Sequence, residues 1–157
     1  MKRTLGYFAV VALAAMVSTQ LFAQNNPLFG TWKLNLDKSK YTGIPAPKEM
    51  TRKVEADGDS VKYANTGIAA EGSPISFSFS AKYDGKDYPI TGTGPFGADA
   101  IAIKRVSTYL YESTLKKGGK VVAKTKTEIS KDGKETTISA RSAEDSSKSY
   151  VSVYDKQ

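Results

Sequence analysis

The sequence predicts an all-β fold, a single antiparallel up-and-down β-barrel of eight to ten strands, on three observations. Segments of alternating apolar and polar residues recur about every ten positions, which is typical of antiparallel sheets. Asp-Gly and Gly-Gly pairs separate several of these segments and favour tight hairpins. After the first 23 residues, no segment has helical periodicity long enough for the crossover helices of a parallel sheet.

The first 23 residues have the build of a secretory signal peptide. Lys2 and Arg3 precede an apolar run through Met16, and small and polar residues follow as far as Ala23. We expect cleavage after Ala23, which leaves residues 24–157 as one periplasmic or secreted barrel domain. An uncleaved anchor is the less favoured alternative, because the apolar run is too short to span a bilayer permanently. Stable membrane insertion is not expected.

Ten strands are predicted in the remaining chain, at residues 30–36, 48–56, 60–65, 74–83, 87–91, 99–106, 109–116, 120–130, 134–141 and 149–154. The turn signals between them are Asp57-Gly58, Asp84-Gly85, Gly118-Gly119 and Asp132-Gly133. Short hairpins join sequence neighbours, so the simplest topology is an up-and-down meander. Closing such a sheet into a barrel removes its exposed edges.

The strand at residues 75–83 shows which side chains face inward. It reads Ile-Ser-Phe-Ser-Phe-Ser-Ala-Lys-Tyr, with apolar residues on one face and Ser and Lys on the other. That alternation is typical of a sheet with one face in a core and one in water. The same parity places Trp32, Leu34 and Leu36 inside from the first strand, and Val61 and Tyr63 from the third.

Residues 92–97, Gly-Thr-Gly-Pro-Phe-Gly, match the spacing of a dinucleotide-binding loop. That loop needs a helix directly after it, because the helix N-terminus holds the phosphates. Here Pro95 lies within the motif and the residues that follow read as a strand. We therefore expect a flexible hairpin loop with Phe96 exposed at its tip. A connector is the favoured interpretation, and a loop that gates a pocket is the alternative.

The composition argues against an enzyme. There is no histidine and no cysteine, so imidazole and thiolate chemistry, disulfides and soft-ligand metal sites are excluded. No acidic residue lies on an inward face in mid-strand, so no carboxylate pair is expected inside. We expect a non-enzymatic protein without cofactor or metal. Loss of Lys2 and Arg3 would lower the formal net charge from +7 to +5.

Two arginines fall on otherwise apolar faces and suggest a ligand. Arg52 lies between Met50 and Val54, and Arg105 follows Ile101 and Ile103. A buried guanidinium is costly without a partner. The carboxylate of an amphipathic ligand would supply one. The alternatives, favoured together, are an arginine that reaches solvent at a strand end, an internal ion pair, or a guanidinium stacked on Trp32.

If a ligand is bound, apolar and aromatic residues of the predicted inner face would line its site. Tyrosines suit an amphipathic ligand, although strand propensity alone explains most of them. The expected ligand-binding residues are Arg52, Arg105, Trp32, Tyr63, Phe77, Phe79, Ile103 and Tyr111.

Lysines are frequent between Lys116 and Lys134. Nucleic-acid binding would need aromatic residues among them, and none occurs between Tyr111 and Tyr150, so no nucleic-acid partner is expected. A solvated outer face is the favoured interpretation. Weak contact with an anionic envelope surface is the alternative.

The segment Phe29-Gly30-Thr31-Trp32-Lys33-Leu34 resembles the Gly-x-Trp signature of the calycins, the group of lipocalins and intracellular fatty-acid-binding proteins. The resemblance implies a barrel that carries a small hydrophobic molecule, with Trp32 plugging its closed end. It also implies a late-strand arginine packed on Trp32, either Arg141 or Arg105.

Residues 83–135, which contain "YDGKDYPITG" and "ISKDGKE", resemble more closely a group of small secreted bacterial proteins without assigned function, some described as lipocalin-like. This resemblance implies no activity. Two departures stand out: residues 37–47 are too short and Pro-rich for the helical lid of fatty-acid-binding proteins, and no helix of the lipocalin type follows Tyr154.

The sequence therefore predicts an exported barrel that binds a small hydrophobic or amphipathic molecule, with Arg52 or Arg105 receiving an anionic head group. The alternative is a filled barrel that acts as a structural or protein-interaction module of the cell envelope.

Overall fold

The computed structural model describes residues 26–157, which form one antiparallel sheet of 11 strands. The strands are β1 (Gly30–Thr42), β2 (Glu49–Asp57), β3 (Ser60–Ile68), β4 (Pro74–Ala81), β5 (Asp84–Pro89), β6 (Thr91–Gly92), β7 (Ala100–Ser107), β8 (Leu110–Lys117), β9 (Lys120–Ile129), β10 (Glu135–Ser142) and β11 (Ser149–Lys156). The predicted signal peptide, residues 1–23, lies outside the described residues. Within residues 26–157, no helix has the length and apolar character needed to cross a membrane.

Each of the ten predicted strands overlaps an observed strand, and the eleventh is the two-residue β6. The expected count of eight to ten was therefore too low. The predicted strand at residues 87–91 divides at Ile90 into β5, which pairs with β7, and β6, which pairs with β4. The sequence shows one extended segment here because both pieces are extended; only their partners differ.

The predicted up-and-down meander is wrong at this same segment, between β4 and β7. The sheet order is β5-β7-β8-β9-β10-β11-β1-β2-β3-β4-β6, so β4 and β5 are adjacent in sequence but are not paired. Asp84-Gly85, predicted as a hairpin turn, instead begins β5 beside an irregularity in its pairing with β7. The chain crosses at Ile90, whose amide donates to the Asp99 carbonyl at 2.8 Å. The barrel is consequently nearly closed, with a seam between β4 and β5.

The inward parity is confirmed for most strands. Phe77, Phe79 and Ala81 of β4 are buried, as are Val61 and Tyr63 of β3. Leu36 is the exception and is 42% exposed. The pairing of β1 with β11 shifts between Asn35 and Lys40, so the residues after Asn35 no longer follow the register of Trp32 and Leu34. The strand then continues to Thr42, well beyond its predicted end.

Trp32 closes one end of the barrel, as the calycin resemblance implies. It is 0% exposed, and its Nε1 donates to the Leu28 carbonyl at 2.8 Å. The cation on its ring is not Arg141 or Arg105 but Lys156, whose Nζ lies 5.0 Å from the ring centroid. Pairing of β1 with β11 sets Trp32 opposite Lys156, which explains why a lysine occupies this position.

Candidate functional site

A cavity of about 290 Å³ lies at the end of the barrel opposite Trp32. The loops after β1, β3 and β6 surround its mouth, where Pro45, Ala70 and Glu71 are exposed. Its walls are mainly apolar and include Pro47, Met50, Ile75, Phe77, Pro95 and Ile138. Arg52 and Glu71 are the only charged residues that line it. An apolar concavity with few polar groups is the usual form of a small-molecule site.

A smaller chamber of about 40 Å³ lies deeper in the barrel, lined by Phe79, Ile101 and Leu115 among others. The two spaces adjoin each other, because five residues line both: Arg52, Phe77, Pro95, Ile138 and Tyr150. A molecule entering from the mouth would therefore meet the guanidinium at the inner end of the main cavity.

The Arg52 guanidinium is held by neighbouring strands. Its Nε donates to Asn65 Oδ1 at 2.7 Å, because β2 and β3 pair these residues directly opposite each other. Its Cζ lies 6.0 Å from the Tyr63 ring centroid and 5.7 Å from that of Tyr154. None of the ion pairs among residues 26–157 involves Arg52. The half-buried cation is thus oriented but not neutralised.

Tyrosine hydroxyls add hydrogen-bonding capacity to the wall. Burial raises the pKa of Tyr150 and of Tyr154, and the nearby Arg52 charge opposes this only in part. Both phenols therefore keep their protons at neutral pH and can donate. Nearer the mouth, the Tyr41 and Ser152 hydroxyls share a hydrogen bond of 2.7 Å. Every one of these groups comes from β1 or β11, whose inward faces meet at the cavity.

Glu71 differs from Arg52 in being exposed at the rim, where it accepts a hydrogen bond from Ser73. That contact and the Glu71 backbone lower the pKa of its carboxyl group. A solvated carboxylate at the mouth is poorly placed for acid-base chemistry. Within residues 26–157, no group of three or more acidic side chains is arranged to hold a metal ion.

The glycine-containing loop before β7 covers part of this cavity. Its only helical element is a 3₁₀ turn at Pro95–Gly97, and residues from Ala100 form β7, so no helix follows the glycines as a dinucleotide-binding loop would need. Phe96 was expected to be exposed at the tip of this loop, but the structure shows it half-buried. Its ring stacks on that of Tyr150, and this contact packs the loop against the inner wall of the barrel.

The structure divides the sequence-predicted site residues between several places. Arg52 and Phe77 line the main cavity, and Phe79 lines the inner chamber. Ile103 is buried in the core without lining either space, and Trp32 belongs to the closed end.

Tyr63, Tyr111 and Arg105 belong to a polar cluster towards the closed end. The hydroxyls of Tyr63 and Tyr83 share a hydrogen bond of 2.9 Å, and Asn26 links Tyr83 to Tyr111 through its amide. Arg105 is exposed, with its Cζ 5.8 Å from the Tyr111 ring centroid. Its pairing with Tyr111 is still regular, so Arg105 keeps the parity of Ile103, but it lies near the end of β7 and is exposed, which matches the alternative of a strand-end arginine reaching solvent.

Three residues were not identified from the sequence: Tyr150 and Tyr154, which line the main cavity, and Asn65, which accepts the hydrogen bond from Arg52. Asn65 follows Val61 and Tyr63 at the same inward parity, so the alternation could have found it. Tyr150 and Tyr154 likewise share a parity in β11. Met50 was named only as a neighbour of Arg52.

Comparison with solved structures gives barrels that this chain resembles. The zebrafish ileal bile acid-binding protein, solved with cholic acid, has a TM-score of 0.52 at 14% identity, over 83% of this chain and 99% of its own. The fatty-acid-binding protein from Manduca sexta has 0.49 at 18% identity, over 81% and 98%. A de novo designed fluorescence-activating barrel has 0.44 at 14% identity, over 86% and 96%.

A scan against protein-family models finds no matching family, and a search of curated proteins finds no match. The zebrafish structure is similar enough to establish the architecture, and the calycin-like fold is thereby confirmed.

Proposed function

We propose that this chain is an exported, non-enzymatic barrel that binds a small hydrophobic or amphipathic molecule with an anionic head group. The observation that carries the proposal is Arg52, a half-buried guanidinium without an ion-pair partner among residues 26–157, at the inner end of an apolar cavity. A carboxylate of the ligand would neutralise the charge, and its chain would lie against the cavity wall.

Burial of an unpaired cation is unfavourable, so such a residue calls for a functional explanation. The contacts of Arg52 with Asn65 and with the Tyr63 and Tyr154 rings orient the guanidinium while leaving its charge unmatched. A carboxylate accepts two parallel hydrogen bonds from the edge of a guanidinium, in the geometry that makes these pairs strong. The preformed orientation reduces the entropy lost on binding.

The size of the cavity limits the ligand. A volume of about 290 Å³ is at the lower end of the range for small-molecule sites, roughly 300 to 1,000 Å³. This favours a medium-length alkyl or compact ring system over a long lipid. The apolar walls, including Phe77 and Ile75, would contribute affinity by removing apolar ligand surface from water.

The chemistry available supports binding without turnover. The sequence has no histidine or cysteine, and the one carboxylate on the cavity wall, Glu71, is exposed at the rim. General acid-base catalysis needs a proton donor or acceptor within reach of the reacting group. Incubation with candidate ligands followed by mass analysis should therefore return them unchanged; a converted product would contradict this part of the proposal.

Export is proposed from the signal-peptide character of residues 1–23. The intact mass of the protein recovered from the periplasm or medium tests it. We expect the mass of a chain that begins at Gln24. A chain that keeps Met1 and stays in the cytoplasm would contradict export.

Calorimetric titration with two probes of equal chain length tests ligand binding. Decanoate and decanol share an apolar chain and differ in charge. We expect the protein to bind decanoate more tightly, and Arg52→Met to reduce decanoate affinity by about tenfold or more. Arg141→Met makes the same chemical change at an exposed arginine outside the cavity and serves as the matched control.

If neither probe binds the wild-type protein at millimolar concentration, the carrier proposal fails and the filled-barrel interaction module becomes the better account. If both bind but Arg52→Met has no more effect than Arg141→Met, the role of Arg52 fails while the apolar site remains.

A further inference from the structure

Asn65 holds a buried polar atom without a partner. The residue is 1% exposed, on the inward face of β3. Its Oδ1 accepts the hydrogen bond from Arg52 Nε, but its Nδ2 has no hydrogen-bond partner. It is the only buried side-chain nitrogen or oxygen within residues 26–157 in this condition. Buried donors are nearly always paired, so Nδ2 calls for an acceptor.

The position of Nδ2 follows from the hydrogen bond that Oδ1 of the same amide accepts from Arg52. Nδ2 is bonded to the same carbon as Oδ1, and Oδ1 contacts Arg52 Nε at 2.7 Å. The unpaired amide hydrogens therefore lie beside the guanidinium. The opposite orientation of the amide would set two donors against each other, so the bond to Arg52 fixes which end is free.

The hydrogen-bonding groups of Arg52 that remain free are also donors. Its Nε is used by Asn65, and no hydrogen bond from its two Nη groups occurs among the described residues. The Tyr63 and Tyr154 rings lie near the guanidinium. Together, Arg52 and Asn65 present donors and no free acceptor, because the Asn65 carbonyl is already engaged.

We infer that Asn65 is a positioning and specificity-determining residue for the ligand head group: it orients Arg52 through Oδ1 and donates from Nδ2 to the same acceptor-only oxyanion. This inference rests on the proposed function and narrows it. A carboxylate, sulfonate or sulfate offers only acceptors and completes every donor. An alcohol leaves part of the donor set unpaired, and an ammonium group adds donors and like charge to Arg52.

Two substitutions that keep the branched shape of the side chain separate the two roles of Asn65. Asn65→Asp keeps the acceptor for Arg52 Nε, removes the second donor and places a carboxylate where the ligand's would pair. Asn65→Leu removes acceptor and donor together. The measured quantity is the ratio of decanoate to decanol affinity, because a residue that only supports the fold would weaken both probes equally.

We expect Asn65→Asp to lower the decanoate-to-decanol ratio by about tenfold or more, with decanol affinity within about twofold of wild type. Asn65→Leu should lower the same ratio by about threefold to tenfold, since the charge of Arg52 remains but its orientation and the second donor are lost. Urea unfolding of each variant shows whether it is folded, and if Asn65→Asp does not fold, Asn65→Leu carries the test.

An unchanged ratio in the folded variants would overturn the inference and would mean that a water molecule, rather than a ligand, satisfies Nδ2. That result leaves the effect of Arg52→Met intact, so the proposed function would survive it. Failure of the wild-type protein to prefer decanoate would instead overturn both.

Discussion

The Phe96 ring stacks on the Tyr150 ring, with centroids 5.9 Å apart and planes 8° from parallel. Phe96 achieves this in a left-handed backbone conformation, with φ at 57°, the only non-glycine residue among those described with positive φ. The contact ties the loop before β7 to the wall of the cavity. It also means that the loop holds backbone strain that the stacked rings offset.

The strain at Phe96 can be measured with two substitutions that both remove the ring. Phe96→Gly relieves the left-handed conformation, whereas Phe96→Ala retains its cost. We expect the alanine variant to be less stable than the glycine variant by about 1 kcal/mol, by urea unfolding. Equal stability, or a more stable alanine variant, would contradict the positive φ.

Gly92 is predicted to tolerate no side chain. It has a φ of 85°, and a Cβ atom there would lie 2.4 Å from the Ser76 carbonyl oxygen. Gly58 also has positive φ, at 60°, but a Cβ atom there meets nothing within 4 Å. Gly92→Ala should therefore destabilise the protein by at least about 1 kcal/mol more than Gly58→Ala. The difference would isolate the close approach of β6 to β4, which forms one side of the seam.

Trp32→Phe should destabilise the barrel by about 1 to 3 kcal/mol, because the buried Leu28 carbonyl loses its donor. Lys156→Met removes the cation over the same ring and should cost under about 1 kcal/mol, because that contact is exposed. Chemical unfolding followed by tyrosine fluorescence or circular dichroism compares both with wild type. A larger loss from Lys156→Met than from Trp32→Phe would contradict the role of Trp32 as the plug.

Alkaline pH should destabilise the fold through the tyrosine cluster near the closed end. Burial raises the pKa of Tyr111 from 10.0 to about 12, and burial also raises the pKa of Tyr63 and of Tyr83. The unfolded chain then loses these protons at lower pH than the folded one. Their contribution to stability is complete below pH 10.0 and is lost as pH rises towards 12 and beyond.

Unfolding free energies measured between pH 8 and 11.5 test this dependence. We expect a decline above pH 10 that is shallower in Tyr111→Phe, by up to about 1.4 kcal/mol per pH unit where that group titrates. An identical slope in wild type and Tyr111→Phe would show that Tyr111 ionises as freely in the folded protein as in the unfolded chain.

Much of the barrel could be predicted from its sequence, because strand alternation depends on local chemistry. The pattern from Ile75 to Tyr83 gave the correct inner face of β4. The seam could not be predicted, since Asp84-Gly85 has the same composition whether it turns a hairpin or begins a strand beside an irregular pairing. The prediction that Leu36 faces inward was wrong for a related reason, because one bulge reverses the parity of all the residues that follow it in the strand.

The candidate site was predicted in part. Parity alone identified Arg52 as an inward cation. The Asp57-Gly58 turn pairs Asp57 with Ser60, and counting outward from this pair places Arg52 opposite Asn65. This pairing could therefore have been predicted from the sequence. Parity gives the face of a residue but not its height along the barrel. Tyr63 and Tyr111 were accordingly expected in the cavity although they contact Asn26 and Tyr83 towards the other end.

The central claim, that the barrel carries an oxyanion-headed ligand at Arg52, is tested most directly by native mass spectrometry of the mature protein expressed into a bacterial periplasm and purified without detergent. We predict a reproducible additional mass that organic extraction identifies as an organic acid, retained in Arg141→Met and lost in Arg52→Met. The account would be contradicted by a protein that is consistently recovered without additional mass and shows no change in Trp32 fluorescence and no heat of binding when decanoate is added.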